Sequence, residues 1–288
     1  MKNIISHILI LLVLTALPLL SEQTRNGIYQ QSLTEYQYDA EAEKWIERAD
    51  ANKEELLVNT KYDRNYVFFQ DQYGKNFIFQ ELLLRPIYYV EKKTITELAG
   101  TKKTEEYKQE NGRLAKLIKS DGDNETTRVY KIEDGILANI EYFFPESDLP
   151  QKQILVENDG KYITQESNVN PQSGDTITVR KFIRNDNDYV EKIEYYQIDD
   201  QSKTMALSHT QIYEYDDEGS LIAIRTEQGT RTSSLKFQYD EENKIKEILA
   251  DQSHKFEIEY YPSGLYKQIV LSHHGTLISK TVYSLEEK

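Results

Sequence analysis

The side chains with the widest chemical reach are few and scattered. Five histidines are present. His273 and His274 are adjacent, so on a strand they point to opposite faces, and one metal ion could not readily take both. His209 and His254 are distant in sequence, and His7 precedes an apolar N-terminal run. Asp121-Gly122-Asp123-Asn124-Glu125 and Asn185-Asp186-Asn187-Asp188 offer clustered oxygens of the kind Ca²⁺ takes. Neither has the spacing of an EF-hand loop, and turn chemistry explains both. The chain has 49 Asp and Glu residues, so chance carboxylate pairs are certain. Nothing singles out a pair held across a cleft, as glycoside hydrolysis requires. The sequence contains no Gly-x-Ser-x-Gly elbow and no P-loop. These residues predict no catalytic centre, no metal and no cofactor, and hence a non-enzymatic protein.

The chemistry that does recur belongs to tyrosine, of which there are 22. Tyr suits half-buried β surfaces, where the ring packs and the hydroxyl stays wet. Tyr213 with Tyr215, Phe237 with Tyr239, and Ile258 with Tyr260 alternate, so each pair falls on one face of a strand. Tyr213, Tyr215, Phe237, Tyr239 and Tyr260 are therefore the candidate interaction surface, a platform for a protein or glycan of the cell envelope. The alternative is cross-strand packing that holds the sheet together.

The elements that position these rings are hairpins. A turn residue is followed two places later by an apolar residue, and three places after that by Ile or Leu. Gly112 leads to Leu114 and Leu117, Gly135 to Leu137 and Ile140, and Asp188 to Val190 and Ile193. Gly219 leads to Leu221 and Ile224, Asn243 to Ile245 and Ile248, and Gly264 to Tyr266 and Ile269. An aromatic residue precedes each turn: Tyr107, Tyr130, Phe182, Tyr215, Tyr239 and Tyr260. Spacing of roughly 20–30 residues between turns marks a repeat architecture, with one further degenerate unit around Gly160, Tyr162 and Ile163. A three-residue apolar step does not keep one face of a flat strand, so it predicts a β-bulge or burial on both faces.

The copy Tyr215-Asp216-Asp217-Glu218-Gly219-Ser220-Leu221-Ile222-Ala223-Ile224 resembles the YD repeat of bacterial Rhs proteins and teneurins. The likeness is partial at Tyr239-Asp240, where Asn243 replaces Gly, and weaker at Tyr260, where Tyr261-Pro262 replaces Asp. MORN-like repeats are the alternative family. The resemblance covers roughly residues 107–288 and implies strand–turn–strand geometry. The chain has too few units for the large hollow shell of that family.

Residues 1–21 read as a signal peptide, with Lys2 ahead of an apolar run from Ile8 to Leu14. Residues 22–60 form a leader and a short helix over Ala40–Val58, with Trp45, Ile46, Ala49, Leu56 and Leu57 near helical spacing. A degenerate first hairpin begun by Tyr36-Gln37-Tyr38-Asp39 is the alternative. Residues 61–288 form the repeat domain, opened by an apolar stretch from Tyr62 to Val90. The fold expected is mainly β: tandem antiparallel hairpins in one long twisted or curled sheet. The net charge of −14 disfavours nucleic acid. The absence of Cys excludes disulfides and a lipid-anchored N-terminus. A periplasmic or secreted bacterial protein follows, with no integral membrane span after signal cleavage. Three functions stay open: an interaction sheet, a carrier holding an apolar ligand against Phe68, Phe77, Phe79 and Leu83, and a glycan-acting enzyme.

Overall fold

The computed structural model describes residues 28–59, 72–75, 77, 90–97, 99–110, 113–145, 147–199, 202 and 204–287. Among these residues nineteen strands follow in order. They begin with β1 (Ile28–Asp39), β2 (Lys44–Glu47), β3 (Lys53–Asn59), β4 (Val90–Thr96), β5 (Lys102–Glu110), β6 (Arg113–Asp121) and β7 (Asn124–Glu133). Next come β8 (Ile136–Phe143), β9 (Lys152–Asn158), β10 (Ile163–Val169), β11 (Thr176–Arg184), β12 (Val190–Ile198) and β13 (Met205–Tyr215). The series ends with β14 (Leu221–Gln228), β15 (Arg231–Tyr239), β16 (Ile245–Ala250), β17 (His254–Tyr260), β18 (Tyr266–His273) and β19 (Thr276–Glu287).

Each strand from β3 to β19 pairs antiparallel with the next, and β1 pairs with both β3 and β19. The sheet therefore closes into an 18-stranded barrel instead of remaining one long twisted or curled sheet. Closure leaves neither end of the meander as an open edge. The short strand β2 stands outside the ring, paired with the far end of β1. No helix forms over Ala40–Val58; β1, β2 and β3 occupy that region. The alternative reading holds there: Tyr38 pairs with Trp45 across a hairpin, and their rings meet edge-on at 5.1 Å. Glu54 and Leu56 alternate onto the inner face as a strand requires, and tertiary pairing with β1 overrides the local helix propensity.

Seven hairpins from β5–β6 to β17–β18 carry a register shift beside the turn. In β15–β16, Phe237 faces Ile248 and Tyr239 faces Ile245, so a step of two opposes a step of three. One extra residue lets both apolar residues point inward. Leu117, Leu137, Ile140, Val190, Ile193, Leu221, Ile224, Ile245 and Ile248 are all buried. The turns repeat as well. Gly219 (φ 83°) and Asn243 (φ 58°) occupy the same left-handed position, one fitting without strain, the other being a residue that tolerates it. Asp216 Oδ1 accepts from the amides of Glu218 and Ser220, and Asp240 Oδ1 from those of Glu242 and Lys244. Gly112 lies outside the described residues, as does most of the Tyr62–Val90 stretch, including Phe68, Phe79 and Leu83.

The convex face carries charge. Lys131 pairs with Glu141 at 2.6 Å, Lys192 with Glu194 at 2.6 Å, Lys255 with Glu257 at 2.9 Å and Lys267 with Glu259 at 3.1 Å. Inward and outward positions should respond differently to truncation. Ile224→Ala, which empties a site 1% exposed, is expected to cost about 2–4 kcal/mol in urea unfolding, whereas Ile222→Ala, 38% exposed, stays within about 0.5 kcal/mol. Equal losses at the two positions would contradict the inward assignment.

Candidate functional site

The five nominated aromatics line the concave face. Tyr213 and Phe237 lie in the main core cluster, and Tyr215, Tyr239 and Tyr260 pack against it. Three hydroxyls share one task. Tyr215 donates to the Val190 carbonyl (3.1 Å), Tyr239 to Leu221 (2.7 Å) and Tyr260 to Ile245 (2.7 Å). Each acceptor is the first inward residue of the preceding repeat. It lies two residues past the last ladder pair, which is Lys192↔Ile212, Ala223↔Lys236 or Glu247↔Glu257. The tyrosine thus satisfies a carbonyl that the ladder has stopped serving.

Above this aromatic layer, the residues described between β3 and β4 reach the interior. Gln72, Tyr73, Gly74 and Phe77 are buried there. The Leu137 amide donates to Gln72 Oε1 (2.7 Å), Arg184 Nε donates to the Tyr73 carbonyl (2.9 Å), and the Lys75 amide donates to the Asp188 carbonyl (3.2 Å). A Cβ on Gly74 would stand 2.9 Å from the Asp188 oxygen at φ 145°, so only glycine fits. Phe77 packs between Phe182 and Tyr213, with ring centroids at 6.2 and 5.4 Å.

Beneath this plug the inner wall turns polar. A chamber of about 360 Å³ is lined by Tyr142, Lys152, Ile154, Glu166, Asn168, Thr178, Arg180, Tyr195, Gln197, Ser208 and His209, among others. Glu166 is almost fully buried and takes two donors, the Tyr73 hydroxyl from the plug and Arg180 Nε from β11. Burial opposes the Arg180 charge, but Glu166 outweighs it and holds the guanidinium above its ordinary value. Burial and the Glu166 charge together push the Tyr73 hydroxyl well up, keeping it a neutral donor. Tyr195 stacks on His209 at 4.1 Å, and burial lowers the His209 ring so that it stays neutral near pH 7.

A second row crosses three strands. Arg128 on β7 faces Tyr142 on β8, which faces Lys152 on β9. The Arg128 guanidinium carbon lies 4.6 Å from the Tyr142 ring centroid and Lys152 Nζ 5.0 Å from it. Burial lowers the Lys152 ammonium, and the Arg128 and Arg180 charges lower it further.

Alternation alone could have found this row. Arg128, Tyr142, Lys152 and Arg180 sit two places from the inward residues Tyr130, Ile140, Ile154 and Phe182. Glu166 was missed because no charge pattern in β10 marks it. Of the histidines and acidic motifs, only His209 lines the chamber with it. Asn185 Oδ1 accepts from its own turn amides, His254 lies across from His273 at 4.4 Å, and no group of three metal-ligating side chains forms among the described residues.

No family model matches this chain, and no curated protein does. Solved structures that resemble it include a porin-like protein from Bacteroides uniformis, at 11% identity and TM-score 0.41, covering 89% of this chain and 97% of that one. TcdB2-TccC3 without its hypervariable C-terminal region matches at 9% identity and TM-score 0.25, covering 82% of this chain and 17% of that one. A DUF1329 family protein from Desulfovibrio piger matches at 9% identity and TM-score 0.21, covering 94% and 90%.

The two cations of the chamber should differ in what they do for stability. Arg180→Met strands the Glu166 carboxylate and is expected to cost about 3–5 kcal/mol, with Glu166→Gln added in the same chain recovering part of it. Lys152→Met leaves no partner behind and is expected to change stability by less than about 1 kcal/mol. Denaturant unfolding at pH 7 separates the two, and a large loss at Lys152 would mean that it serves a structural pair.

Proposed function

We propose that the chain is a non-enzymatic, exported bacterial protein that carries a small organic molecule inside its barrel. The observation that carries this reading is the chamber itself. It lies within a closed wall, beneath a plug anchored by Gln72, Tyr73 and Lys75, and it combines aromatic and aliphatic surface with a few placed polar groups. That combination suits small-molecule sites of a few hundred Å³. The Tyr-rich face looks inward, which favours an interior ligand over an outward aromatic platform. Export rests on the N-terminal sequence, whose basic start and apolar run have the layout of a signal peptide. The charged convex face supports a barrel standing in water in the periplasm or outside the cell, since a Lys or Arg facing lipid at mid-depth costs roughly 2–4 kcal/mol. Among the described residues no helix is long and apolar enough to cross a membrane.

One observation favours a second reading, contact with another envelope component. Leu155, Ser167, Val179, Tyr196 and Leu207 form an outward cross-strand row, with Leu155 43% and Leu207 55% exposed.

Native mass spectrometry of the protein secreted by a bacterial host checks the carrier reading. The expected species lacks about the first 21 residues and retains one small molecule. Thr178→Trp, which fills the chamber, is expected to abolish retention. An intact N-terminus, or a bound mass unaffected by Thr178→Trp, would count against export or against the chamber respectively.

A further inference from the structure

We infer that Arg128 and Lys152, held on either side of Tyr142, form an anion receptor, and that the molecule in the chamber is an organic oxyanion with an aromatic or apolar body. The inference rests on the carrier reading and names the ligand class for it.

The first support is the pairing pattern of the inner wall. Elsewhere on the concave face a cation meets a carboxylate or, like Arg184 at the Tyr73 and Ile163 carbonyls, backbone oxygens. Lys93 meets Glu54 at 2.6 Å, Lys119 meets Glu105 at 2.6 Å, and Arg180 meets Glu166. Arg128 and Lys152 make no ion pair among the described residues, and their contacts are with the Tyr130 hydroxyl and the Tyr142 ring. The Glu166 carboxylate, which could have served them, already accepts from Tyr73 and Arg180. Composition does not force this arrangement, because acids outnumber Lys and Arg by 49 to 35 in the chain.

The second support is unused hydrogen-bonding capacity. Among the described residues, Arg128 Nε is a buried donor without a partner. A buried donor left unmet is costly, and a ligand oxygen would relieve it. Arg128 presents a planar fork suited to a carboxylate or a phosphate, and Lys152 adds a point charge from the next strand but one.

The third support is size and wall chemistry. A volume of 360 Å³ corresponds to about a dozen waters at ~30 Å³ each, far more than an inorganic oxyanion would displace. Beside the cations the wall is Ile154 and the stacked Tyr195–His209 pair, surfaces for a ring or an alkyl body. The charged head then lies against Tyr142 and Lys152, which line the chamber, with Arg128 next to them on β7 and the body directed towards β12 and β13.

Isothermal titration of the purified chain, cleared of bound ligand, with benzoate, phenyl phosphate, benzyl alcohol and sulfate tests the inference. Benzoate or phenyl phosphate is expected to bind at least ten times more tightly than benzyl alcohol and than sulfate. Arg128→Met and Lys152→Met are each expected to weaken that binding at least tenfold, with circular dichroism and Tm retained, and Arg128→Lys is expected to restore part of it. Thr178→Trp should remove it. Benzyl alcohol binding as well as benzoate, in a manner lost with Thr178→Trp, overturns the anion receptor while leaving the carrier reading in place. Sulfate binding as well as the organic anions makes this an inorganic-anion site and overturns it too. Organic anion binding unchanged in Thr178→Trp, or no binding of any of the four, overturns the inference.

Discussion

One extra residue beside the turn of each repeat governs this barrel. A strand that alternated strictly would bury either the first or the second apolar residue of the repeat, never both. The bulge between Gln238 and Tyr239 brings Ile245 and Ile248 to the same side, and the equivalent shift does so for Leu221 with Ile224 and Val190 with Ile193. The bulges beside the repeat turns fall at one end of the barrel, so that end becomes apolar. The ladder ends early beside each of these three, leaving carbonyls that the hydroxyls of Tyr215, Tyr239 and Tyr260 then occupy. Each such hydrogen bond contributes only about 1 kcal/mol, but each joins one repeat to the next and so fixes the spacing of the wall.

The rest of the architecture follows from the number of strands. A barrel of 16–18 strands is wide enough to leave an aqueous channel unless something fills it. Here Tyr73 and Phe77, between β3 and β4, occupy part of that interior, set against Phe182 and Tyr213. The apolar end and the plug make one core, and the polar remainder of the inner wall becomes a chamber with Glu166 as its hinge point. Through Tyr73 and Arg180 this carboxylate ties the plug to the wall.

Much of the wall was legible in the sequence and little of the chamber was. The spacing Gly219–Leu221–Ile224, with its copies, predicted both the hairpins and the bulge, because a local steric requirement writes itself into every repeat. Closure was not legible. It depends on Tyr29–Gln37 meeting Ser279–Glu287 across nearly the whole chain, and no local pattern records that register. The Ala40–Val58 segment misled because Ala, Glu and Lys favour helix when considered alone, while pairing with β1 decides the outcome. The chamber escaped notice for a related reason. Its residues come from six strands, β8 to β13, and Glu166 and Arg180 acquire their meaning only as cross-strand partners.

Charge is partitioned by the wall, and this bears on why the Arg128–Tyr142–Lys152 row is unsatisfied. Outside, acidic and basic side chains neutralise each other in water, where each exposed pair is worth little. Inside, the effective dielectric is lower, so like charges repel more strongly and a single anion is attracted more strongly. Burial first, and after it the Arg128 and Arg180 charges, lower the Lys152 ammonium. Apolar side chains at the same two positions would remove the cost of holding two like charges there. The unbound chain therefore forgoes stability that a bound oxyanion would return, and binding and folding become linked: any ligand that meets the folded state alone stabilises it in proportion to the logarithm of its saturation. A site whose emptiness costs stability and whose occupancy restores it favours the loaded protein over the empty one, which suits a carrier better than a rigid scaffold.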